Sequence, residues 1–251
     1  MLAIIIVSAL LYVFWVALKA DSKLTSSSGY LAWLLHAVIC FYSIFDENGW
    51  KLNIVNAVLL VSWVSVLVVF LFKLKSHWVK IPLVIFVLYV FAFLDIKSDF
   101  AYHGYIEFSW QLDLHITLSM LSYSIFVVAT LFAISLMVYI VKLRNSEFDS
   151  KHSLLSIIDE EKKLFNLISL GWLLLSTSLL SGVLFVEDFM SQHLGHKVLF
   201  SLLAWLLFGI VILGRLTKGW RGEKLIWLTI IGMVLLATGY LGSKIVLEWI
   251  I

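Results

Sequence analysis

Residues 53–72 read NIVNAVLLVSWVSVLVVFLF, an apolar run interrupted only by two asparagines and two serines. An α-helix rises about 1.5 Å per residue, so a stretch of this length can cross the roughly 30 Å hydrocarbon core of a bilayer. The run lacks the alternation of apolar and polar side chains that marks a strand of an outer-membrane barrel. It therefore predicts a transmembrane helix and sets the class of the protein.

Seven further stretches have the same character. The eight predicted spans are 1–18, 30–46, 53–72, 81–96, 114–141, 164–185, 198–214 and 225–247. The composition agrees, because 62% of the 251 residues are hydrophobic and only 14% are charged, against about 45–50% and about 25% in soluble domains. We predict an all-α integral membrane protein, a bundle of eight transmembrane helices that forms a single domain over residues 1–251. Pro82 is expected in the first turn of the fourth span, where its missing N–H is tolerated.

The basic residues predict the orientation. Fourteen of the 18 lysines and arginines lie in connections that follow an odd-numbered span. These are Lys19, Lys23, Lys73, Lys75, Lys80, Lys142, Arg144, Lys151, Lys162, Lys163, Arg215, Lys218, Arg221 and Lys224. Connections on the cytoplasmic side are enriched in Lys and Arg. We therefore expect both termini on the outer, periplasmic side of a bacterial inner membrane.

Several function classes find no support in the sequence. The single cysteine, Cys40, excludes a disulfide scaffold, a CxxC redox pair and a CxxCH haem-attachment site. A net charge of +2 does not suggest nucleic acid as a partner. The apolar spans instead lead us to expect membrane lipid around the protein. There is no P-loop, HExxH or Gly-x-Ser-x-Gly motif. Hydrolytic and nucleotide-driven chemistry are therefore not expected.

Five histidines are candidates for function. With the predicted topology, His103, His115, His193 and His196 lie at the outer side, and His36 lies inside the second span. A neutral imidazole can ligate a metal or the iron of a haem. The alternative for the outer histidines is hydrogen bonding to carbonyls or lipid headgroups. For His36, a functional role in the membrane and a structural hydrogen bond between helices are both open.

The small residues Ser178 and Gly182 are four positions apart and predict close helix packing.

Several segments resemble one family. Leu114–Ser124, LHITLSMLSYS, resembles the part of CcsA-type cytochrome c assembly proteins in which an outer-face histidine precedes a leucine-rich turn and Ser-Tyr-Ala. The segments FNLISLG (165–171) and LLSG (179–182) are similar to the family's next span, and Ser62-Trp63 to an earlier one. Features typical of the eight-span YpjD and HemX branch of this CcsA/CcmC superfamily are Leu35-His36-Ala37, Ala204-Trp205, Gly219-Trp220-Arg221-Gly222 and the segment 240–246, YLGSKIV.

The resemblance implies a haem-handling membrane protein without enzymatic activity of its own. In this family haem is carried or presented to apocytochrome c at the outer face, with histidines as axial ligands. Carried over, His115 matches the outer ligand histidine, and His196 or His193 would complete the ligation. His36 matches a histidine of an early span, for a second haem or a transit position. The implied cofactor is transiently bound haem b, and the implied partner is apocytochrome c or another membrane assembly protein.

One departure from the family leaves an alternative open. Haem-presenting members have a tryptophan-rich loop, W-G-x-x-W-x-W-D, between spans six and seven. Residues 186–197 read VEDFMSQHLGHK here, with no tryptophan. The competing hypothesis is a scaffold or accessory subunit that keeps the fold without binding haem and modulates an ion transporter or another membrane partner. A transporter for a small substrate is less favoured, because no carboxylate stands in the middle of a predicted span.

Overall fold

The computed structural model describes residues 1–17, 23–46, 49–51, 53–74, 76–96, 109–144, 150–185 and 195–242. This part of the chain is helical apart from one pair of two-residue strands. The helices are α1 (Leu2–Ala17), α2 (Lys23–Ile44), α3 (Ile54–Leu71), α4 (His77–Ile96), α5 (Trp110–Arg144), α6 (Ser150–Phe185), α7 (Gly195–Lys218) and α8 (Glu223–Ala237). A five-residue π-helical turn, Thr238–Gly242, continues α8.

The helices fit a lipid environment. Among the described residues, seven helices are long and apolar enough to cross a membrane, and Leu2–Ala17 is a shorter apolar helix. Large apolar side chains such as Leu10, Tyr89, Val183 and Leu213 lie on the surface, as lipid-facing side chains do. The prediction of an all-α membrane protein is confirmed at this level, while the count of eight spans and the outer position of both termini stay predictions.

The chain divides into two compact units, which we describe separately. Unit 1 is Met1–Trp110 and unit 2 is Gln111–Ile251. Unit 1 therefore contains α1 to α4, and unit 2 contains α5 to α8 with the π-helical turn, apart from the first residue of α5. The single-domain organisation predicted from the sequence stays a prediction.

In unit 1, hydrogen bonds join neighbouring helices. The Ser8 hydroxyl of α1 donates to the Ala32 carbonyl of α2 at 3.1 Å. The rings of Trp33 on α2 and Trp63 on α3 stack with centroids 5.2 Å apart, and each indole N–H donates to the other residue's carbonyl, at 3.3 and 3.2 Å. Such paired donors satisfy the indole N–H groups within an apolar interface. These contacts fix the register of α1, α2 and α3.

The connection between α2 and α3 is short and ordered by an amide side chain. The strands Phe45–Asp46 and Gly49–Trp50 pair antiparallel. Asn53 caps α3, since its side-chain oxygen accepts the backbone N–H of Asn56 at 2.8 Å. The Asn56 amide donates to the carbonyls of Ser43 and Lys51 at 2.9 and 2.7 Å. Asn56 therefore ties the end of α2 to the start of α3.

Unit 2 has a similar tryptophan pair. The rings of Trp172 on α6 and Trp205 on α7 stack with centroids 5.7 Å apart. The Trp172 indole donates to the Trp205 carbonyl at 3.0 Å, and the Trp205 indole donates to the Ser176 hydroxyl at 2.7 Å. The Phe126 ring of α5 stacks on Phe208 of α7 at 4.0 Å. Together these rings join α5, α6 and α7.

The position of Pro82 corrects one expectation. The helix begins at His77 rather than near residue 81, so Pro82 lies in the helix interior and not in its first turn. The apolar pattern locates the membrane-crossing part of a helix, whereas the helix itself extends into the preceding polar residues, where hydropathy gives no signal. In a membrane helix an interior proline is tolerated when neighbouring groups satisfy the freed carbonyl.

Candidate functional site

The four helices of unit 1 meet around His36. This α2 side chain is fully buried. The Tyr12 hydroxyl of α1 lies 3.2 Å from Nδ1, and the Ser62 hydroxyl of α3 lies 3.4 Å from Nε2. The Phe91 ring of α4 packs against the imidazole in a T-shaped arrangement with centroids 4.8 Å apart. One imidazole is thus enclosed by a side chain from each neighbouring helix.

The hydrogen bonds assign the tautomer of His36. The Ser62 hydroxyl donates to the Leu59 carbonyl at 2.8 Å, so its oxygen accepts the proton carried by Nε2 of His36. Nδ1 then carries a lone pair and accepts from the Tyr12 hydroxyl. Both ring nitrogens are therefore engaged by protein groups. In this arrangement His36 acts as a hydrogen-bonded link between α1, α2 and α3.

His115, in the second turn of α5 in unit 2, has a different environment. Its Nδ1 lies 3.0 Å from the Ser178 carbonyl and 3.1 Å from the Ser181 hydroxyl, both on α6. The Ser181 hydroxyl itself donates to the Ser178 carbonyl at 2.8 Å. The Ser119 hydroxyl donates to the His115 carbonyl at 2.8 Å and lies 2.6 Å from the Ser178 hydroxyl. The imidazole is thus fixed to α6 through one nitrogen.

This geometry assigns the tautomer of His115. A carbonyl oxygen can only accept, so the proton must sit on Nδ1. Nε2 therefore carries a lone pair, and among the described residues it has no hydrogen-bond partner. Histidines that bind metals usually have this arrangement, with one ring N–H donated to a carbonyl and the other nitrogen on the metal. This tautomer leaves Nε2 as the nitrogen of His115 that can bind a metal ion.

The sequence of α6 creates the surface that receives this ring. Ser178, Ser181 and Gly182 are three and four residues apart, so they share one face of the helix. A Cβ atom at Gly182 would lie 3.0 Å from Cε1 of His115, so only glycine admits the ring at its present distance. The small pair Ser178 and Gly182, predicted as a packing contact, is therefore the seat of His115.

A cation lies at the start of α7. This is Lys197, which follows His196 in the first turn of the helix. Its ammonium lies 5.3 Å from the centroid of the Tyr240 ring, in the π-helical turn after α8. Tyr240 in turn packs on Tyr123 of α5 with centroids 5.6 Å apart. These contacts join the start of α7 and the π-helical turn after α8 to α5, the helix that carries His115.

The remaining candidates are placed only in part. His193 and residues 186–194 of the tryptophan-free loop lie outside the described residues, as does His103. His196 is in the first turn of α7, but its side chain is not described. His36 and His115 belong to different units. In the described part of the chain, no three His, Cys, Asp or Glu side chains group as a metal site.

The sequence reasoning missed the partners of both histidines. Tyr12 lies in a span whose only other hydroxyl is that of Ser8, so the segment gives no polar pattern. Ser62 and Ser181 stand in segments noted only for their family resemblance. The usable signal in the sequence is a histidine and hydroxyl side chains within apolar spans, because buried polar groups need partners.

The comparisons with known proteins point in one direction. A family model described as "Cytochrome C assembly protein" matches residues 21–251. "Inner membrane protein YpjD" of Escherichia coli (strain K12) is 27% identical over 230 residues, which cover 89% of this chain and 86% of that protein. "Cytochrome c biogenesis protein CcsA" of Chlamydomonas reinhardtii is 26% identical over 145 residues, 57% of this chain and 40% of that protein. No solved structure matches.

Proposed function

This chain belongs to the cytochrome c assembly protein family, and from that premise we propose that it binds haem b transiently and hands it on, as an assembly component rather than an enzyme. It is a multi-pass protein of the bacterial inner membrane, similar to the YpjD branch. The YpjD relative matches 89% of this chain and the CcsA relative matches 57%. The proposal therefore rests on the local chemistry of His115 and not on the name of either relative.

The observation that best supports this proposal is the hydrogen bond that His115 Nδ1 donates to the Ser178 carbonyl. It directs the lone pair of Nε2 away from α6 and holds the ring in one orientation, which lowers the entropy lost on ligation. Bound haem would supply an iron centre that accepts this nitrogen as an axial ligand. The positive charge of Lys197 favours an acidic porphyrin side chain nearby.

The second axial ligand would be His196 or His193, which flank Gly195 at the start of α7. We assign His36 to a second haem or a transit position. That assignment requires Tyr12 or Ser62 to release a ring nitrogen first, because both nitrogens are engaged. Ligation by His36 would therefore break one of these hydrogen bonds, whereas ligation by Nε2 of His115 would break none of those described.

We further propose eight spans with both termini outside, so that His115 faces the periplasm and the partner is apocytochrome c or another membrane assembly protein. The 16 residues of α1 give a helix of roughly 24 Å, which crosses most of a hydrocarbon core of about 30 Å. The fourteen basic residues after odd-numbered spans support this orientation.

The test is a visible spectrum of the detergent-purified full-length protein, oxidised and reduced, titrated with haemin. We expect a saturable Soret band and sharp α and β bands on reduction, which report low-spin iron with two axial nitrogen ligands. His115→Ala should weaken binding by at least about tenfold, because even loss of a partner of a metal ligand costs 10- to 100-fold.

The matched control is His77→Ala, which removes a histidine at the start of α4 in unit 1. It should leave the titration unchanged. A spectrum that is the same with and without His115 would refute the ligand assignment, and separate His193→Ala and His196→Ala variants would identify the second ligand.

A second function is favoured by one observation, the absence of tryptophan between residues 186 and 197. If no saturable band forms at micromolar haemin, the fold would serve as a membrane scaffold or accessory subunit. Co-purification of one membrane partner in stoichiometric amount would then support that role.

A further inference from the structure

A second polar cluster lies at the opposite end of unit 2 from His115. It joins the end of α5, the first half of α6, the end of α7 and the start of α8. We call it the Arg215 cluster, and its members are Arg144, Glu161, Arg215, Trp220, Arg221, Gly222, Glu223 and Lys224. Neither of the histidine sites nor the proposed haem chemistry uses these residues.

Glu161 of α6 holds part of the Arg215 cluster in place. Its carboxylate is buried, and Oε1 accepts the backbone N–H of Gly222 at 2.7 Å. Gly222 has a φ of +62°, a left-handed conformation that favours glycine. The other oxygen, Oε2, lies 3.9 Å from Nη1 of Arg215, which is too long for a hydrogen bond. Glu161 thus fixes the loop before α8 but satisfies Arg215 only through charge.

Arg215 has a guanidinium N–H group without a hydrogen-bond acceptor among the described residues. Its guanidinium carbon lies 4.9 Å from the Phe165 ring centroid, so an aromatic ring covers one face. Nη1 is buried and has no hydrogen-bond partner within the described part of the chain. A guanidinium offers five N–H donors in a planar fork. A buried donor left without an acceptor destabilises the structure, so this position is suited to an acceptor from outside the chain.

The local charge favours an anion. Glu223 is paired with Arg144 at 2.6 Å, and the Glu161 carboxylate lies 3.9 Å from Arg215. The four cations Arg144, Arg215, Arg221 and Lys224 thus share two carboxylates, which leaves two positive charges unbalanced, and the charge of Arg221 acts on Arg215. Like charges held close together repel each other. The cluster therefore carries a positive excess that one anionic group would relieve.

An aromatic residue places this excess at a membrane surface. The Trp220 ring packs directly on Gly214 and leaves no room for a Cβ atom at that position. The Lys224 ammonium lies 3.4 Å from the centroid of the same ring. Tryptophan and basic residues together are typical of the headgroup region of a bilayer. The basic connection also matches the side predicted to face the cytoplasm.

We propose that the Arg215 cluster binds the phosphate diester of an acidic phospholipid headgroup. The planar fork of Arg215 suits two phosphate oxygens, and Arg221 adds a second charge from the exposed side. Basic pockets between the ends of transmembrane helices bind acidic headgroups by the same chemistry. The proposal is independent of haem binding, because its residues lie apart from His115.

The test uses the delipidated full-length protein in detergent and counts bound lipid by native mass spectrometry. The probes are phosphatidylglycerol, phosphatidylcholine and inorganic phosphate as a competitor. Both lipids carry the phosphate diester, but the choline ammonium of phosphatidylcholine is repelled by the positive excess of the cluster, so we expect phosphatidylglycerol to bind at least about tenfold more tightly. Arg215→Lys keeps the charge and loses the fork, so it should weaken phosphatidylglycerol binding about tenfold.

Because Arg215 is mostly buried, its substitution could disturb the fold, and a second variant at an exposed residue separates that effect from lipid binding. Arg221→Gln changes an exposed side chain and should weaken phosphatidylglycerol about fivefold. The control Lys23→Gln removes an exposed cation of unit 1 and should change binding less than twofold. Equal binding of both lipids, or equal losses in Arg221→Gln and Lys23→Gln, would overturn the proposal. Competition by inorganic phosphate as strong as by phosphatidylglycerol would support the phosphate site and reject lipid as its source.

Discussion

Replacing Tyr12 by phenylalanine would probe the closed histidine network of unit 1. The change deletes one oxygen atom and keeps the ring, which packs on Trp15 with centroids 6.3 Å apart. Its direct effect is confined to Nδ1 of His36, which loses its donor at 3.2 Å. No other hydroxyl is recorded at that nitrogen among the described residues.

The expected loss follows from the burial of both groups. Tyr12 and His36 are each 0% exposed, so water cannot replace the missing donor. A buried acceptor left without a partner costs about 1–3 kcal/mol. Hydrogen bonds between membrane helices average about 0.6 kcal/mol in double-mutant cycles, because the unfolded state in the membrane also finds partners. We expect the free energy of unfolding to fall by about 1–2 kcal/mol.

The assay is reversible unfolding of the full-length protein in mixed micelles of increasing sodium dodecyl sulfate, followed by tryptophan fluorescence. The control is Tyr42→Phe, which removes a hydroxyl from a residue that is 70% exposed and should change stability by less than about 0.5 kcal/mol. A second variant, His36→Leu in the Tyr12→Phe background, removes both partners. It should cost less than the sum of the two single changes.

The refuting result is clear. If Tyr12→Phe is no more destabilising than Tyr42→Phe, the hydrogen bond to His36 carries no energy. His36 would then be free to turn toward another ligand, and its assignment as a link between helices would fail.

Two further predictions concern unit 2. Gly182→Ala should push the His115 ring by a few tenths of an ångström, because the new Cβ would lie 3.0 Å from Cε1. Haemin affinity in the spectral titration should fall about fivefold or more, and an unchanged affinity would contradict the seat on α6. Trp205→Phe keeps one aromatic ring beside Trp172 but removes the second fused ring and the donor to the Ser176 hydroxyl at 2.7 Å. Stability in the same micelle assay should fall by at least about 0.6 kcal/mol, whereas the exposed Trp227→Phe should have little effect.

The sequence predicts the membrane helices well, because each apolar run has to be long enough to cross the bilayer. The predicted span 53–72 agrees with Ile54–Leu71, and 114–141 lies within Trp110–Arg144. The main difference is α6, predicted from residue 164 and observed from Ser150. Residues 150–163 contain charged side chains, so hydropathy excludes them although the backbone continues as a helix. Hydropathy reports the lipid contact and not the length of the helix.

The candidate site is less predictable. His115 stands out as a histidine near the start of an apolar span, and Ser178 and Gly182 stand out as a small-residue pair. That the ring of one helix rests on the pair of the other depends on which helices are neighbours and on their register. Neither is encoded in the periodicity of a single helix. The tautomer of His115 follows only once its carbonyl partner is known.

The two stacked indole pairs provide an optical signature in each unit. The Trp33 and Trp63 rings are tilted by only 5° at 5.2 Å, and the Trp172 and Trp205 rings by 15° at 5.7 Å. Each pair joins two helices, so separating those helices changes the surroundings of both rings and therefore their absorption and fluorescence. Replacing one ring of either pair would remove that pair's contribution to the change. The separation of α2 from α3, and of α6 from α7, could then be followed independently during unfolding or on binding, with no added label.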